Sequence, residues 1–215
     1  MSLKSEIIFY SKLCYDNKFV CATDGNISVR TRKNFILTTA ADTCKGNITI
    51  PDIIKVDLKG VVSKRQFKEK AKRQKKKKPS TELKLHLYIY KMRKDVNAIV
   101  HTHPKFATAF AAARLALDKP VLPEIYLKFG SIPLAKYAMP STGEVPESIS
   151  QFVDKHNAIL LSNHGLVTFG KTLEEAYFLT EKAEQFAEIS FYARLLGGEK
   201  ILTKHQLQKL NELKT

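Results

Sequence analysis

Three histidines carry the most distinctive chemistry in this sequence. His101 and His103 are separated by one residue, and His164 directly precedes Gly165 later in the chain. On a β-strand, alternate side chains share a face and lie about 6.6 to 6.8 Å apart, so two such imidazoles can bind one ion. A His-x-His pair alone fits hydrogen-bonded core histidines as well as a metal site. His164 favours a divalent transition metal such as zinc, because three imidazoles leave a coordination position open for substrate.

Two segments have features of anion-binding sites. Ser80 and Thr81 offer hydroxyls and backbone N–H groups at the start of a predicted helix, where the helix dipole favours negative charge. Glu82 follows them, although ordinary compensation of the helix dipole would also place an acid there. The loop 23–26 supplies Gly25 and small polar groups, as backbone anion sites do, but alone it would pass as a plain turn.

The remaining histidines and the cysteines show no comparable pattern. His86, His156 and His205 lack such partners, and we expect each to be a packing or surface residue. The three cysteines are an odd number without C-x-x-C spacing, which argues against a disulfide framework or a zinc ribbon. We expect reduced thiols at Cys14, Cys21 and Cys44.

The hydrophobic pattern predicts helices and strands that would position these residues. Residues 2–18 have apolar side chains at helical spacing, and short β-rich runs follow. The predicted strands are 26–30, 35–39, 53–57, 98–102, 132–137, 158–162 and 166–169. The other predicted helices begin at Ser80 and span 105–115, 144–155, 173–196 and 205–213. This mixture predicts an α/β fold with a sheet covered by helices on both faces.

Length and composition are those of an ordinary globular protein. With 215 residues, 44% of them hydrophobic and 27% charged, we expect one domain over 1–215 with a packed core. Collagen-like, disulfide-dense and disordered classes are excluded. No stretch approaches the roughly 18 apolar residues of a membrane helix, and the start lacks the order of a signal peptide, so we expect a cytoplasmic protein without a membrane partner.

The net charge of +15 is unevenly distributed. Residues 64–78 contain ten basic residues and a single acid, Glu69, so this run contributes nine of the surplus positive charges. Such a run is most often a solvated surface loop, and binding of an anionic partner is the alternative. The run lacks the interleaved aromatic residues that would stack bases, so we do not expect nucleic acid as a partner.

Four ordered motifs resemble a known family. They read GNISVR at 25–30, PSTE at 79–82, VHTHP at 100–104 and NHG at 163–165. With them the chain resembles the class II aldolase and adducin head family over nearly its whole length, most closely the L-fuculose-1-phosphate aldolase branch. The resemblance implies a three-layer α/β/α sandwich around a mixed, mainly antiparallel sheet, and a homotetramer with active sites at subunit interfaces.

The resemblance also implies an activity and its residues. It implies one zinc ion per subunit held by His101, His103 and His164, with Glu82 as the catalytic carboxylate that also ligates the metal in the empty site. The phosphate pocket of the family maps onto Gly25, Asn26, Ser80 and Thr81. The implied reaction cleaves a ketose 1-phosphate, such as L-fuculose 1-phosphate, to dihydroxyacetone phosphate and an aldehyde such as L-lactaldehyde.

The sequence departs from the family pattern in three places. Ala41 and Asp42 stand where the family usually has a small hydroxyl residue and then glycine, and a carboxylate there would repel a phosphate. A second acid for the aldehyde half would be Glu124, which aligns best, or the nearby Tyr126. A tyrosine that the branch places near its C-terminus has no counterpart, since the last tyrosine is Tyr192.

Three classes of alternative function stay open: another enzyme of the same fold, a non-enzymatic scaffold and a nucleic-acid-binding module. Ribulose-phosphate 4-epimerases of this fold carry aspartate where this chain has Glu82, and methylthioribulose-phosphate dehydratases share the metal histidines. A non-enzymatic scaffold similar to the adducin head is expected to lack those histidines. A nucleic-acid-binding module would rest on the basic run alone.

Overall fold

The chain folds around one mixed sheet of seven strands. The computed structural model describes residues 1–63 and 77–213, so most of the basic run, 64–76, lies outside the described residues. The strands are β1 Asn26–Arg30, β2 Ile36–Thr39, β3 Ile53–Val56, β4 Ala98–Thr102, β5 Leu134–Ala135, β6 Ala158–Leu161 and β7 Gly165–Gly170. Their order is β3-β2-β1-β4-β7-β6-β5, and every neighbouring pair is antiparallel except β5 and β6. The predicted α/β class and mainly antiparallel sheet are confirmed.

Helices cover both faces of this sheet. They are α1 Leu3–Asp16, α2 Leu83–Met92, α3 Lys105–Ala112, α4 Pro123–Phe129, α5 Glu144–Ser148, α6 Leu173–Leu195 and α7 Lys204–Glu212. Strand β4 shows the reason, because its alternate residues enter different cores. Val100 packs in a core with residues of α1 and α6, whereas Ile99 packs in a core with residues of α2. Alternation of side chains across a strand therefore buries both faces and requires a helix layer on each.

Several predicted boundaries differ from the structure. Helix α2 begins at Leu83 and not at Ser80, because residues 81–82 form a turn in which the Leu83 amide donates to the Ser80 carbonyl at 3.1 Å. The helix predicted to end at Lys155 stops at Ser148, and the following residues continue as turns. Strand β5 has only two residues where six were expected. Helix α4 was not predicted, since two prolines in 120–123 favour a loop.

The basic run rejoins the fold at its last two residues. Lys77 forms an ion pair with the buried Asp52. The Lys78 carbonyl accepts a hydrogen bond from the Ala41 amide at 2.9 Å, and the next residue, Pro79, forms a bridge with Ala40. These two lysines are therefore attached to the loop that follows β2. Among the described residues, no helix has the length and apolar character required to cross a membrane.

Gly25 sets the distance between the loop before β1 and the end of β4. Its φ of +69° lies in the left-handed region, and a Cβ at this position would lie 2.6 Å from Val20 Cγ1 and 2.8 Å from the His101 carbonyl oxygen. A side chain would therefore meet both conformational strain and backbone atoms.

We expect Gly25→Ala to lower the free energy of unfolding by about 2 to 4 kcal/mol, since left-handed strain and overpacking add. Gly130→Ala is the matched control, because Gly130 has φ +66° but nothing within 4 Å of the added Cβ. It should cost only about 1 to 2 kcal/mol. Urea unfolding of both variants measures the difference, and equal losses would contradict the close approach at Gly25.

Candidate metal centre and active site

The structure brings the three predicted histidines together at one end of the sheet. His101 lies in β4, His103 follows its end, and His164 lies in the turn before β7, the strand that pairs with β4. The Nε2 atom of His101 is 3.3 Å from Nε2 of His164 and 3.4 Å from Nε2 of His103. The possible ligand atoms of all three lie within 4.8 Å of one another.

Backbone contacts orient these rings. The Nδ1–H of His101 donates to the Leu166 carbonyl across the β4–β7 pair at 2.9 Å, which leaves Nε2 directed at the other histidines. Such a bond selects the tautomer and orientation of a metal-binding imidazole. Gly165 is required beside His103, because a Cβ there would lie 2.5 Å from His103 Cδ2. The His103 amide donates to the Phe19 carbonyl at 2.8 Å, which fixes the chain beyond β4.

The Glu82 carboxylate completes the cluster. Its Oε1 lies 2.9 Å from His164 Nε2, and its Oε2 lies 3.3 Å from His101 Nε2. The Asn26 side-chain amide donates to the same Oε2 at 3.0 Å. Two predicted groups, Asn26 and Glu82, therefore meet at the histidine cluster although they come from different parts of the chain.

The electrostatics of the cluster suit a bound cation. Burial alone would raise the pKa of Glu82, but the attraction and hydrogen bonds of His101 and His164 outweigh it and hold that pKa well below its usual range. Burial likewise opposes protonation of His101, yet Glu82 outweighs it and raises the His101 pKa. Burial and the neighbouring imidazoles lower the pKa of His103 to about 3. The site thus combines an anionic carboxylate with a neutral imidazole around the fully buried His101.

The residues present fit a divalent transition metal. Two imidazole nitrogens 3.3 Å apart repel each other unless a proton or a cation lies between them, and His101 already uses its Nδ1–H on Leu166. Three imidazoles and one carboxylate form a donor set suited to zinc and similar ions. Asp24 Oδ2 lies 3.8 Å from His103 Nδ1. Carboxylates in this position commonly orient the ring of a histidine that binds a metal through its other nitrogen.

A row of polar contacts between β1 and α2 positions Glu82. Alternate residues of β1 bond to successive turns of the helix region. The contacts are Asn26 to Glu82 at 3.0 Å, Ser28 to His86 at 2.7 Å and to Tyr90 at 2.9 Å, and Arg30 to the carbonyls of Tyr90 and Arg93. Two residues of a strand rise about 6.8 Å, and four residues of a helix rise about 6 Å. Every second residue of β1 therefore lies opposite every fourth residue of the helix region.

His86 is the buried centre of this row. It is fully buried, and burial lowers its pKa to about 3, so the ring is neutral and bonds to the Ser28 hydroxyl through Nδ1. The expectation of a packing residue therefore fits, but the hydrogen bond to β1 was not foreseen. Its spacing of four residues from Glu82 was the available signal, since positions i and i+4 share one helix face.

We expect Ser28→Ala to lower the free energy of unfolding by about 1 to 3 kcal/mol, because the buried polar groups of His86 and Tyr90 lose their partner. Ser190→Ala is the matched control. Ser190 is equally buried, but its Oγ has no hydrogen-bond partner among the described residues, so stability should stay unchanged or rise. Thermal or urea unfolding compares them, and equal effects would argue against the β1–α2 row.

The residues predicted to bind phosphate lie beside Glu82, but several are already hydrogen-bonded. The Ser80 hydroxyl accepts from the Glu82 amide at 3.3 Å, and the Thr81 hydroxyl pairs with the Ser141 hydroxyl at 2.6 Å. Gly25 directly precedes Asn26, whose amide bonds Glu82. Of the four, Asn26 alone has a described contact with the Glu82 carboxylate, whereas Thr81 contacts Ser141 in a more distant loop.

The loop after β2 runs beside this group. Its Ala41 amide bonds the Lys78 carbonyl, and Ala40 forms the bridge with Pro79, so the loop lies next to the segment that leads to Ser80. Asp42 is exposed and has φ +54°, the conformation that glycine adopts most easily. The backbone here therefore keeps a glycine-like shape, while the side chain adds a carboxylate.

Lys45 is a residue that the sequence did not reveal. It is only 1% exposed, and its Nζ donates to the Thr23 carbonyl at 3.0 Å and to the Thr43 carbonyl at 2.8 Å. Burial lowers its pKa to about 8 despite nearby acidic groups. The ammonium joins the loop before Gly25 to the loop after Asp42. One lysine among 36 basic residues gives no signal of burial in the sequence.

The two candidates for a second acid lie on α4. Glu124 is exposed in its first turn, and the Tyr126 hydroxyl accepts from the Asn211 side chain at 3.1 Å, which directs it toward α7. Within the part of the chain that the structure describes, the polar contacts of Glu82 and the three histidines include neither residue.

Comparisons with known proteins agree with this site. The family model "Class II Aldolase and Adducin N-terminal domain" matches residues 5–191. A curated L-fuculose phosphate aldolase from Methanococcus maripaludis is 34% identical over 193 residues, covering 90% of this chain and 98% of that protein. A 3-oxo-tetronate 4-phosphate decarboxylase from Pectobacterium atrosepticum is 27% identical over 217 residues, covering 97% and 92%.

A solved structure extends the comparison to the fold. An L-fuculose 1-phosphate aldolase superposes with a TM-score of 0.85 at 27% identity, covering 98% of this chain and 95% of the other. The site geometry and the matches lead to one assignment: this chain belongs to the class II aldolase and adducin N-terminal family, as an aldolase-type lyase of a metal-dependent class.

Proposed function

We propose that this protein is a zinc-dependent aldolase that cleaves a ketose 1-phosphate. L-Fuculose 1-phosphate is the proposed substrate, with dihydroxyacetone phosphate and L-lactaldehyde as products. The observation that carries the proposal is the Glu82 carboxylate, 2.9 Å from His164 and 3.3 Å from His101 in a cluster of three imidazoles of which His101 is fully buried. The curated relatives named L-fuculose phosphate aldolase support the substrate.

His101, His103 and His164 would hold the ion, with Glu82 as a further ligand in the absence of substrate. When bound, zinc would supply a Lewis acid for the negative charge that carbon–carbon cleavage leaves on the three-carbon fragment. The Leu166 carbonyl holds His101 with Nε2 directed inward, so the ring needs no rearrangement to bind. No Schiff-base lysine is required for this type of aldolase.

Glu82 is the proposed proton-transfer group. Cleavage of a ketose phosphate requires a base that accepts a proton from the substrate and returns one to the three-carbon fragment. Without substrate, the Asn26 amide bonds Oε2 of this carboxylate. When substrate displaces the carboxylate from the histidines, the attraction that lowers its pKa weakens, and its basicity rises toward the range useful at neutral pH.

Gly25, Asn26, Ser80 and Thr81 form the proposed phosphate pocket. Backbone N–H groups of the loop before β1 are suited to a phosphate dianion, and the Ser80 hydroxyl, which accepts from the Glu82 amide, keeps its own proton to donate. Lys45 would stabilise the shape of this pocket, because its ammonium holds the loops on both sides of it. Asp42 sits on the neighbouring loop, and its charge would select against a phosphate placed close to it.

We extend the proposal to a homotetramer with active sites between subunits. Large apolar side chains at the end of α6 support an interface, since they are exposed in the single chain. These are Phe191, Tyr192, Leu195 and Leu196. A neighbouring subunit could also supply groups for the aldehyde half of the substrate.

The substrate is tested by a panel of ketose 1-phosphates with the zinc-loaded protein, measuring release of dihydroxyacetone phosphate. We expect the highest kcat/KM with L-fuculose 1-phosphate. The panel includes 5-deoxy-D-ribulose 1-phosphate and a 3-oxo-tetronate 4-phosphate, the latter followed by carbon dioxide release, because relatives carry these activities. Carbon dioxide release without aldol cleavage would replace the proposed reaction by decarboxylation.

We expect about one zinc or similar divalent ion per chain in the purified protein, because the cluster has the donor set for one ion. His101→Ala and His164→Ala should each lose most of it. His156→Ala and His205→Ala are the controls, since neither belongs to the cluster. Elemental analysis measures the metal, and full metal content in the first two variants would refute these ligands.

Glu82→Gln should keep the side-chain shape but remove the base, so turnover should fall about 100-fold to 10,000-fold. Zinc content should stay near one per chain, because three imidazoles remain. Glu147→Gln, an exposed glutamate of α5, is the control and should leave turnover unchanged. Cleavage rate and bound zinc are measured on the same preparation. Full activity would exclude the catalytic role, and lost zinc would make Glu82 mainly a ligand.

A further inference from the structure

A cleft lies at the end of the sheet opposite the histidine cluster. Its volume is about 980 Å³, and its lining includes the turn between β1 and β2 and the residues just before β4 and just after β7. Strand β4 runs from Ala98 at this end to Thr102 beside the histidines, so about 14 Å of strand separates the two sites. The cleft is therefore distinct from the proposed active site.

The lining of this cleft is strongly basic. The positively charged residues are Lys4, Arg30, Arg32, Lys33, Lys55, Lys94 and Lys171, and Glu6 is the one acid of the lining. The cleft therefore has six surplus positive charges. The run 64–78 has nine of the fifteen surplus charges of the chain, so the cleft accounts for the other six. Outside these two regions the chain is electrically balanced.

These cations make few described contacts with acids, and Asp95 acts electrostatically on two of them, Lys171 and Arg30. Arg30 bonds the carbonyls of Tyr90 and Arg93, and the Lys55 ammonium lies 4.0 Å from the centre of the Phe35 ring. The other five form no ion pair with any residue that the structure describes. Seven like charges around one cleft repel each other, so an anion that enters is attracted by all of them. The arrangement favours a ligand with several negative charges.

The cations form a row, which favours an elongated ligand. Six of them lie at or within a few residues of the same end of five neighbouring strands, in the order β3-β2-β1-β4-β7, and strands about 4.8 Å apart make a row of about 19 Å. The seventh, Lys4, lies on α1. One nucleic-acid strand carries a charge about every 3.4 Å, so about five phosphates match this length. The described lining contains no aromatic side chain on which a base could stack.

We propose that this cleft binds an extended phosphate chain through its phosphates alone. The backbone of a single nucleic-acid strand and inorganic polyphosphate share this chemistry. The expectation against a nucleic-acid partner rested on the composition of the basic run, whereas the cleft is built by residues of the folded domain. The proposal does not depend on the aldolase activity, because the two sites lie at opposite ends of the sheet.

Binding of a fluorescent 12-nucleotide oligouridylate to the full chain, followed by fluorescence anisotropy, tests the proposal. The affinity should fall with salt with a log–log slope of about −3.5, the value for five phosphates on a single strand. Unlabelled polyphosphate should compete at equal phosphate concentration. Orthophosphate and poly-glutamate should compete at least tenfold more weakly. Absence of binding, or equal competition by poly-glutamate, would overturn the proposal.

Variants distinguish the cleft from the basic run. The triple variant Lys33→Gln, Lys94→Gln, Lys171→Gln should weaken binding by about tenfold or more and make the salt slope shallower by about 2, as expected for three lost contacts. The control triple Lys12→Gln, Lys155→Gln, Lys209→Gln removes the same charge from exposed positions outside the cleft and should change affinity less than about twofold. Unchanged melting temperature and zinc content establish that both triples fold.

A third variant replaces Lys70, Lys72, Lys75 and Lys76 by Ser. If binding persists in this variant, and becomes weaker when the substitutions of the cleft triple are added to it, the cleft is the binding site. If this variant removes binding while the cleft triple binds as tightly as the parent, the run is the binding segment and the proposal is wrong. Aldolase turnover should stay at the parent value in the cleft triple, since its residues lie outside the proposed active site.

Discussion

The position of the Glu82 carboxylate depends on the contact between strand β1 and helix α2. Asn26, Ser28 and Arg30 face the helix, and each bonds a successive turn, so the helix cannot slide along the sheet without breaking buried hydrogen bonds. Since β1 also pairs with β4, residue by residue from Asn26 opposite His101, one strand fixes both the carboxylate and a histidine. The geometry of the site is therefore a property of the sheet register.

Close backbone approach is the second requirement, and it explains the two glycines at the site. Gly25 lies against the His101 carbonyl, and Gly165 lies against His103 and the Thr102 carbonyl. A Cβ at either glycine would lie less than 3 Å from these atoms. The loops before β1 and β7 can therefore approach the end of β4 this closely only because each has a glycine there. The ends of three adjacent strands thereby bring the three histidines and Asn26, whose side chain bonds Glu82, into one small volume.

Much of this fold could be predicted from the sequence because the strands are strongly patterned. The bounds of β1 and β4 match those expected, since β1 alternates polar and apolar residues, β4 is mostly apolar, and turn residues border both. Lys45 could not be predicted, because its burial depends on two carbonyls 22 and 2 residues away in the chain. The start of α2 was wrong because the Ser80 hydroxyl bonds within a turn and Thr81 bonds Ser141, which local sequence does not reveal.

The role of Glu82 illustrates how tertiary contacts decide between two interpretations that a sequence leaves open. An acid at a helix start can compensate the helix dipole, and then its side chain would bond the backbone N–H groups of the first turn. Glu82 occupies the position before Leu83, but its side chain makes no such capping bond. Both carboxylate oxygens contact histidines, and one also accepts from Asn26. A partly buried anion held away from its own helix is stabilised chiefly by cationic partners, which is the condition that a metal-binding carboxylate must meet.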